Sequence, residues 1–332
     1  MMKIRRIGLV YESREDAIAC KISMDKLYHW REETEIAALT DSLQALGFEP
    51  ILLGNPAKLV TQSQWMKEID FILNLSVGFS SRNRLALAPS LYQLSGIPYS
   101  GGDPCAKLLS QNKPWFKAML NKLGIPTPEW LLLQTMNDIP DALKIGFPAM
   151  VKPAYEGSSI GIYEDSIASN PQQLARLCSR IIDQLGMPVL VERFVTGREY
   201  KVGFIGNQVL KAACMLEDVC ENGAPMGDKF LHFDVKTKGL FKKKAMNIEE
   251  KRFEKLYGDC RRVYDLFLPV DYGTFDIRVD ENGRHYFVEF NADATLHPDR
   301  TLSQCCILNG ISYTHMVQRI LEASFERQGM VR

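Results

Sequence analysis

Gly273-Thr274-Phe275-Asp276-Ile277-Arg278-Val279-Asp280 is followed, across Glu281-Asn282-Gly283, by Arg284-His285-Tyr286-Phe287-Val288-Glu289-Phe290-Asn291. Asn-Gly between two alternating runs is the strongest short-range marker of a β-hairpin, because both residues tolerate the positive φ of a two-residue turn. With Asn282-Gly283 as that turn, Glu281 stands opposite Arg284 and Asp276 opposite Glu289. This register predicts one apolar face, with Phe275, Ile277 and Val279 beside Tyr286, Val288 and Phe290. The other face sets Thr274, Asp276, Arg278 and Asp280 against Asn291, Glu289, Phe287 and His285. Two carboxylates with Cβ atoms ~5 Å apart repel unless a proton or a cation lies between them. Removing one is therefore expected to raise the stability of the metal-free chain. Asn291 adds an oxygen one pair along, and hard oxygen ligands of this kind suit Mg²⁺. Read from the residues alone, the same face is equally well a solvated one whose acids are neutralised by Arg278 and His285.

Outward from the hairpin, the 332 residues are enough for two or three compact units. Hydrophobic residues make up 46% and charged residues 24%, a globular balance, and no apolar run reaches the ~18 residues of a membrane span. Lys+Arg 40 against Asp+Glu 40 leaves no net charge to draw the chain to nucleic acid or an anionic membrane. The apolar stretch Ile7 to Val10 is too short for a signal-peptide core, and the eight cysteines show no Cys-x-x-Cys pair, so a cytoplasmic chain with reduced thiols is expected.

In the first hundred residues β and α signals alternate. A strand at Ile7 to Tyr11 precedes a helix with Ile36, Leu39, Leu43 and Leu46 on one face, stopped by Gly47. Ile51-Leu52-Leu53, the strand Phe71 to Leu75 and a helix from Leu85 to Ser95 ended by Gly96 complete an α/β unit with a parallel sheet. Asn112 is expected to cap a helix that ends at Gly124. Beyond it, Ala149 to Pro153 and Ser159 to Tyr163 read as β, Pro171 to Leu185 as a helix, and Pro188 to Ile205 as two strands folded at Thr196-Gly197. Lys229 to Lys244, with six lysines, reads as a long loop. A helix over about Ile248 to Leu266 and a final one through Ile311, Val317 and Leu321 follow.

Two further stretches bear chemistry. Lys152 ends a strand just before Glu156-Gly157-Ser158-Ser159, and a small-residue loop can lay backbone N–H groups on phosphate oxygens while the lysine supplies charge. A plain hairpin turn has the same composition. Val189 to Glu192, with Arg193 and Val195, leads through Gly197 to Glu199, where an apolar edge can hold an adenine and a carboxylate can take ribose hydroxyls. A surface hairpin explains that segment alone at least as well. Neither a Walker loop nor Gly-x-Gly-x-x-Gly occurs, and the five histidines have no metal-ligand spacing.

The order Asn112-Lys113, Lys152 with Glu156-Gly-Ser-Ser, Glu192 with Glu199, then Asp276 with Glu289-x-Asn291 resembles the ATP-grasp superfamily, and within it the D-alanine–D-alanine ligases and their ligase-like relatives. The likeness extends over Gly96 to Gly101, Leu123 to Pro128 and Gly310 to Tyr313, nearly the whole chain. It implies three lobes: a Rossmann-like α/β parallel-sheet domain at 1–104, and α+β lobes at 105–190 and 191–332 that grip ATP between them. Lys113 and Lys152 would contact phosphates, under a loop carrying Glu156, Gly157, Ser158 and Ser159. Glu192, Arg193 and Val195 would border adenine, and Glu199 would bind ribose. Lys238 would reach the γ-phosphate, and Asp276, Glu289 and Asn291 would hold two Mg²⁺. The family reaction phosphorylates a carboxylate and lets an amine attack the acyl phosphate, giving an amide, ADP and phosphate.

The chain departs from the D-alanine ligases at defined points. Thr274 stands where they carry an arginine, which makes Arg278 and Arg300 the candidates to replace it. Asn291-Ala-Asp-Ala-Thr-Leu-His-Pro-Asp299 resembles the ligase-like branch, and Val77-Gly78 replaces an expected acid and glycine. The resemblance thus implies a ligase joining a small-molecule carboxylate and amine, with a D-alanine–D-alanine ligase proper and a non-catalytic ATP-binding protein as alternatives. A homodimer is compatible with it.

Overall fold

The structure, a computed structural model, describes residues 4–22, 30–61, 63–79, 81–157, 160–231, 241–292 and 294–330. Strand β1 (Arg6–Val10) is the centre of a parallel sheet, flanked by β2 (Glu49–Gly54) and β3 (Phe71–Asn74). The alternation of β and α signals made this parallel arrangement the expected one. Helix Glu33–Ala45 buries Ile36, Leu39 and Leu43 and ends before Gly47, whose φ of 82° only glycine adopts without strain. Helix Arg84–Ser95 closes on Gly96 in the left-handed conformation. Helices Pro104–Gln111 and Lys113–Leu123 follow, and the Asn112 side chain accepts the Trp115 N–H at 3.1 Å as the expected N-cap.

The second sheet runs β4 (Trp130–Leu133), β7 (Val189–Arg193), β5 (Ala149–Pro153), β6 (Ile167–Ala168), all antiparallel. Helix Pro171–Leu185 lays Leu174, Leu177, Cys178 and Ile181 on Val151, Val189 and Val191. The third, five-stranded sheet has the order β10 (Phe241–Met246), β9 (Leu210–Cys220), β8 (Arg198–Gly206), β11 (Tyr272–Val279), β12 (His285–Asn291). Its far side is an aromatic core of Phe204, Tyr264, Phe275, Phe287 and Phe290 against helix Glu254–Asp265.

Several expectations need correction. Residues 160–161 form a turn and 162–163 are irregular, and the β-strand of this region is β6. The lysine-rich stretch contains strand β10. Its exposed Lys242 and Lys244 are the charges that protect a sheet edge from pairing with another chain. Strand β9, for which no expectation was formed, pairs with β10 and β8. Strands β7 and β8 do not pair with each other but belong to different sheets. The chain crosses between them at Gly197, where a Cβ would come 2.1 Å from the Val279 carbonyl oxygen. The last helical stretch is two helices, Thr301–Leu308 and Tyr313–Arg327, and Ile311 lies between them.

The hairpin shows the most informative difference. Thr274 pairs with Asn291, Phe275 with Phe290 and Asp276 with Glu289, as expected, but Ile277 pairs with Phe287 and Val279 with His285. A bulge at Val288 therefore separates two registers. Near the turn, Asp280 N–H bonds Arg284 O at 3.0 Å, and Gly283 takes φ 77°, so the loop is Glu281-Asn282-Gly283. The cause is packing. Phe287 and Phe290 are both fully buried, and two residues three apart reach one face of a strand only if an extra residue is inserted. Tyr286 and Val288 accordingly leave the core face expected for them.

Helix Tyr313–Arg327 returns to the first lobe, packing Met316, Val317, Ile320 and Leu321 in one core with Ile7, Leu9 and Leu39. Buried Asp271 fastens this junction, accepting from Gly101 N, Ser324 Oγ and Arg327 Nε at 2.7 to 2.8 Å.

Candidate active site

A cleft of about 890 Å³ opens between the second and third sheets and reaches the first lobe. Lys113, Lys152, Glu156, Gly157, Glu192, Arg193, Val195, Glu199, Asp276, Arg278, Glu289, Asn291 and Arg300 all line it. Residues nearly 190 positions apart thus meet in one place. Lys238, Ser158 and Ser159, also expected at the site, lie outside the described residues.

One wall is built on a buried carboxylate. Glu192 on β7 lies 2.7 Å from Lys152 Nζ of β5 and 2.5 Å from Lys117 Nζ of helix Lys113–Leu123. Lys117 also donates to Thr127 Oγ1 at 2.8 Å. Burial, with the neighbouring ammonium of Lys152, pulls the Lys117 ammonium down to about 8, because one carboxylate balances two cations. Burial works against the Glu192 charge too, but the two lysines outweigh it and hold that carboxyl below its ordinary value. Lys113, one helical turn before Lys117, donates to the Glu156 carbonyl oxygen and lies 2.9 Å from Glu289 Oε1. Glu156 is reached by Arg84 Nη2 at 3.3 Å, which ties the first lobe to this loop.

The third sheet forms the other wall. Across its face Lys243, Asp218, Glu199 and Arg278 stand in one cross-strand row, and Lys201, Asp276 and Glu289 in the next. Lys201 Nζ lies 2.7 Å from Glu199 Oε1, 2.7 Å from Asp276 Oδ2 and 3.8 Å from Asp218 Oδ2. Burial disfavours its charge, yet Asp276, Glu199 and Asp218 overcome that and hold the ammonium well above its usual value. The opposed acids of the hairpin are therefore not uncompensated: Asp276 has Lys201 and Glu289 has Lys113. A gain in stability on removing either acid is therefore not expected: Glu289 is the carboxylate partner of Lys113, and Asp276 is one of three acids that balance Lys201.

Arg278 is committed at one end of the cleft. Its guanidinium donates to Val195 O at 2.9 Å, Glu199 Oε2 at 3.1 Å, Gly227 O at 2.6 Å and Lys229 O at 3.1 Å, and stacks 5.1 Å above the Phe194 ring. Met150, Phe194, Phe230 and Leu231 make this end of the cleft apolar. At the opposite end, Arg300 Nη2 lies 3.3 Å from Glu32 Oε1 and His297 Nε2 3.5 Å from Glu32 Oε2. Buried Glu35 accepts Thr295 Oγ1 and Leu296 N at 2.9 Å. Thr274, 2% exposed, faces Asn291.

Lys117, Lys201, Asp218 and Lys243 were not singled out from sequence. Lys117 had a signal, the i,i+4 spacing from Lys113 on one helix face. Lys201 had a fainter one, the i,i+2 spacing from Glu199 on one strand. Asp218 and Lys243 had none, because their strands were not recognised. Burial pushes the Asp218 carboxyl up to about 6 against the opposing pull of Lys201 and Lys243. The folded chain therefore binds this proton more readily than the unfolded one, and stability is lost as pH rises from about 4 to about 6. Asp218→Asn is expected to melt above the wild type at about pH 8 and level with it at about pH 4. A lower melting temperature at both would show that the charge of Asp218 is needed by its lysines.

The donors Asp276, Glu289 and Asn291 are all hard oxygens facing the cleft, and they fit Mg²⁺ in kind. Among the described residues no group of three or more His, Cys, Asp or Glu is placed to hold a metal, so the amide of Asn291 would complete such a set. Two α+β sheets closing on lysines from one and acids from the other define an ATP-grasp enzyme. The family model described as D-ala D-ala ligase C-terminus matches residues 119–322. A D-alanine–D-alanine ligase of Chromohalobacter salexigens is 29% identical over 70% of this chain and 71% of its own length. The uncharacterised protein y4sG of Sinorhizobium fredii is 25% identical over 90% of this chain and 89% of its own. Among solved structures, the D-alanine–D-alanine ligase of Bacillus anthracis complexed with ATP covers 99% of both chains with a TM-score of 0.75 at 20% identity. The chain belongs to the D-Ala-D-Ala ligase family, ATP-dependent enzymes that form C–N bonds. Among the described residues, no helix is long and apolar enough to cross a membrane.

Proposed function

We propose that this ligase joins a small amino-acid-like carboxylate to an amine and that its substrates are not two D-alanines. The γ-phosphoryl group passes from ATP to the carboxylate oxygen, releasing ADP; the amine then attacks the acyl carbon and phosphate departs with the C–N bond formed. Lobes at 1–104, 105–190 and 191–332 enclose the reaction, in the cytoplasm where ATP is supplied. Lys113 and Lys152 grip the phosphates, Met150, Phe194 and Val195 border the adenine, and Glu199, oriented by Arg278, takes the ribose. Asp276, Glu289 and Asn291 are the residues that would hold Mg²⁺, which supplies charge neutralisation between phosphates when bound. Arg278 is here a positioning residue, and Arg300 is the arginine at the substrate end.

The observation that carries the substrate reading is that the two acids lining that end, Glu32 and Glu35, and Glu12 buried behind Val77 are already committed to protein donors. Glu12 takes Ser76 Oγ at 2.6 Å and Val77 N at 3.0 Å, Glu35 takes Thr295 and Leu296, and Glu32 faces Arg300 and His297. Val77 turns only an apolar side chain to the cleft, which cannot pair with a substrate ammonium. Thr274 supplies a hydroxyl and no charge where an anionic intermediate forms, and the loss of one preorganised donor typically costs ~10²–10³ in rate. Little ADP release is expected with D-alanine alone, and more with a substrate whose recognised end is less cationic than a free α-amino acid. A coupled assay of ADP release over pairs of acids and amines decides it. Robust D-alanyl-D-alanine formation at millimolar D-alanine would overturn the reading.

A further inference from the structure

We infer that Lys201 is a resident cation standing in for one divalent ion, so that the cleft takes its nucleotide with a single Mg²⁺, held by Glu289 and Asn291. The inference rests on the reading of the β11–β12 hairpin as the metal site and narrows the three ligands proposed above to Glu289 and Asn291, with Asp276 kept by Lys201. Its basis is geometry: Lys201 projects from β8 at the position paired with Asp276 on β11, and its ammonium bridges Asp276 Oδ2 and Glu199 Oε1 at 2.7 Å each. The side chain is 4% exposed, so the ammonium is largely withdrawn from water. Turning it away would take from Asp276 its ammonium partner, while Glu199 would keep Arg278 and Asp218 would keep Lys243. A Mg²⁺ bound to Asp276 at about 2 Å would therefore sit close to a fixed like charge in a poorly screened interior.

Glu289 differs. Its cation is Lys113, whose other partner is the Glu156 carbonyl oxygen in a loop that lines the cleft. Lys113 can exchange Glu289 for a phosphate oxygen at the cleft without leaving a buried cluster of acids. Lys201 has only carboxylates about it and no such exchange. The same ammonium couples the acid proposed for ribose to the acid proposed for metal, setting both before nucleotide arrives.

The test counts Mn²⁺ bound to the purified full chain saturated with a non-hydrolysable ATP analogue, by electron paramagnetic resonance of free Mn²⁺. One tight ion per chain is expected in the wild type, lost in Glu289→Gln. In Lys201→Met, which keeps the length of the stem, a second ion is expected, together with a rise in melting temperature on adding Mn²⁺ that exceeds the wild-type rise. Two tight ions in the wild type would overturn the inference, and that count needs no variant. A single ion that survives Glu289→Gln would instead overturn the assignment of the hairpin as metal site, and the role of Lys201 with it.

Discussion

Glu192→Gln is expected to cost about 3–5 kcal/mol of folding stability, the range for removing one partner of a buried ion pair, and to weaken ATP binding. Glu192 is 3% exposed and balances two ammonium groups whose own side chains are 0% and 4% exposed. Glutamine keeps the shape but leaves Lys117 and Lys152 side by side with no counter-charge. Lys152 then loses the partner that aims it from the strand end, so the phosphate grip weakens along with the fold. Urea unfolding measures the first effect and calorimetric titration with ATP the second. The double variant Glu192→Gln, Lys117→Met should recover part of the stability by removing one stranded charge. Unfolding midpoints indistinguishable between Glu192→Gln and wild type would refute this account of the wall.

Glu289→Gln is expected to reduce Mg²⁺-dependent ADP release by about 10²–10³, as for loss of a preorganised electrostatic partner in a transition state. Its stability should fall, because Lys113, with a 4% exposed side chain, loses its carboxylate. Turnover at limiting Mg²⁺ and a melting curve of the metal-free protein are the two measurements. Unchanged turnover would remove the hairpin from the chemistry. A more stable variant would mean that the Asp276–Glu289 repulsion, inferred from the strand register, outweighs the lysine pairing seen in the structure.

These expectations show how unevenly the site can be read from residues. The Asp276–Glu289 pair was legible because a strand repeats every two residues and an Asn-Gly turn anchors the count. The anchor itself was misplaced by one residue, and the bulge at Val288 restored the register before it reached the acids. The lysine partners were not legible. Lys201 comes from a strand that pairs with β11, and its partner there, Asp276, lies 75 positions further on, a pairing that no local pattern specifies.

The sequence by itself determined the local decisions: the parallel first lobe, the Asn112 cap and Gly124 stop, the hairpin and the order of motifs that belongs to this family. These depend on periodicity, caps and turns, whose energies arise within a few residues of one another. Tertiary structure alone decided that β7 and β8 join different sheets, that the lysine-rich stretch is partly an edge strand, and that each hairpin acid meets a buried ammonium. It also turned Arg278 to the apolar end of the cleft, where four acceptors from distant segments hold it. The physical reason is common to all of these. A buried charge takes whatever counter-charge the packed sheets bring within hydrogen-bond reach, and its cost of burial depends on partners far away in the chain.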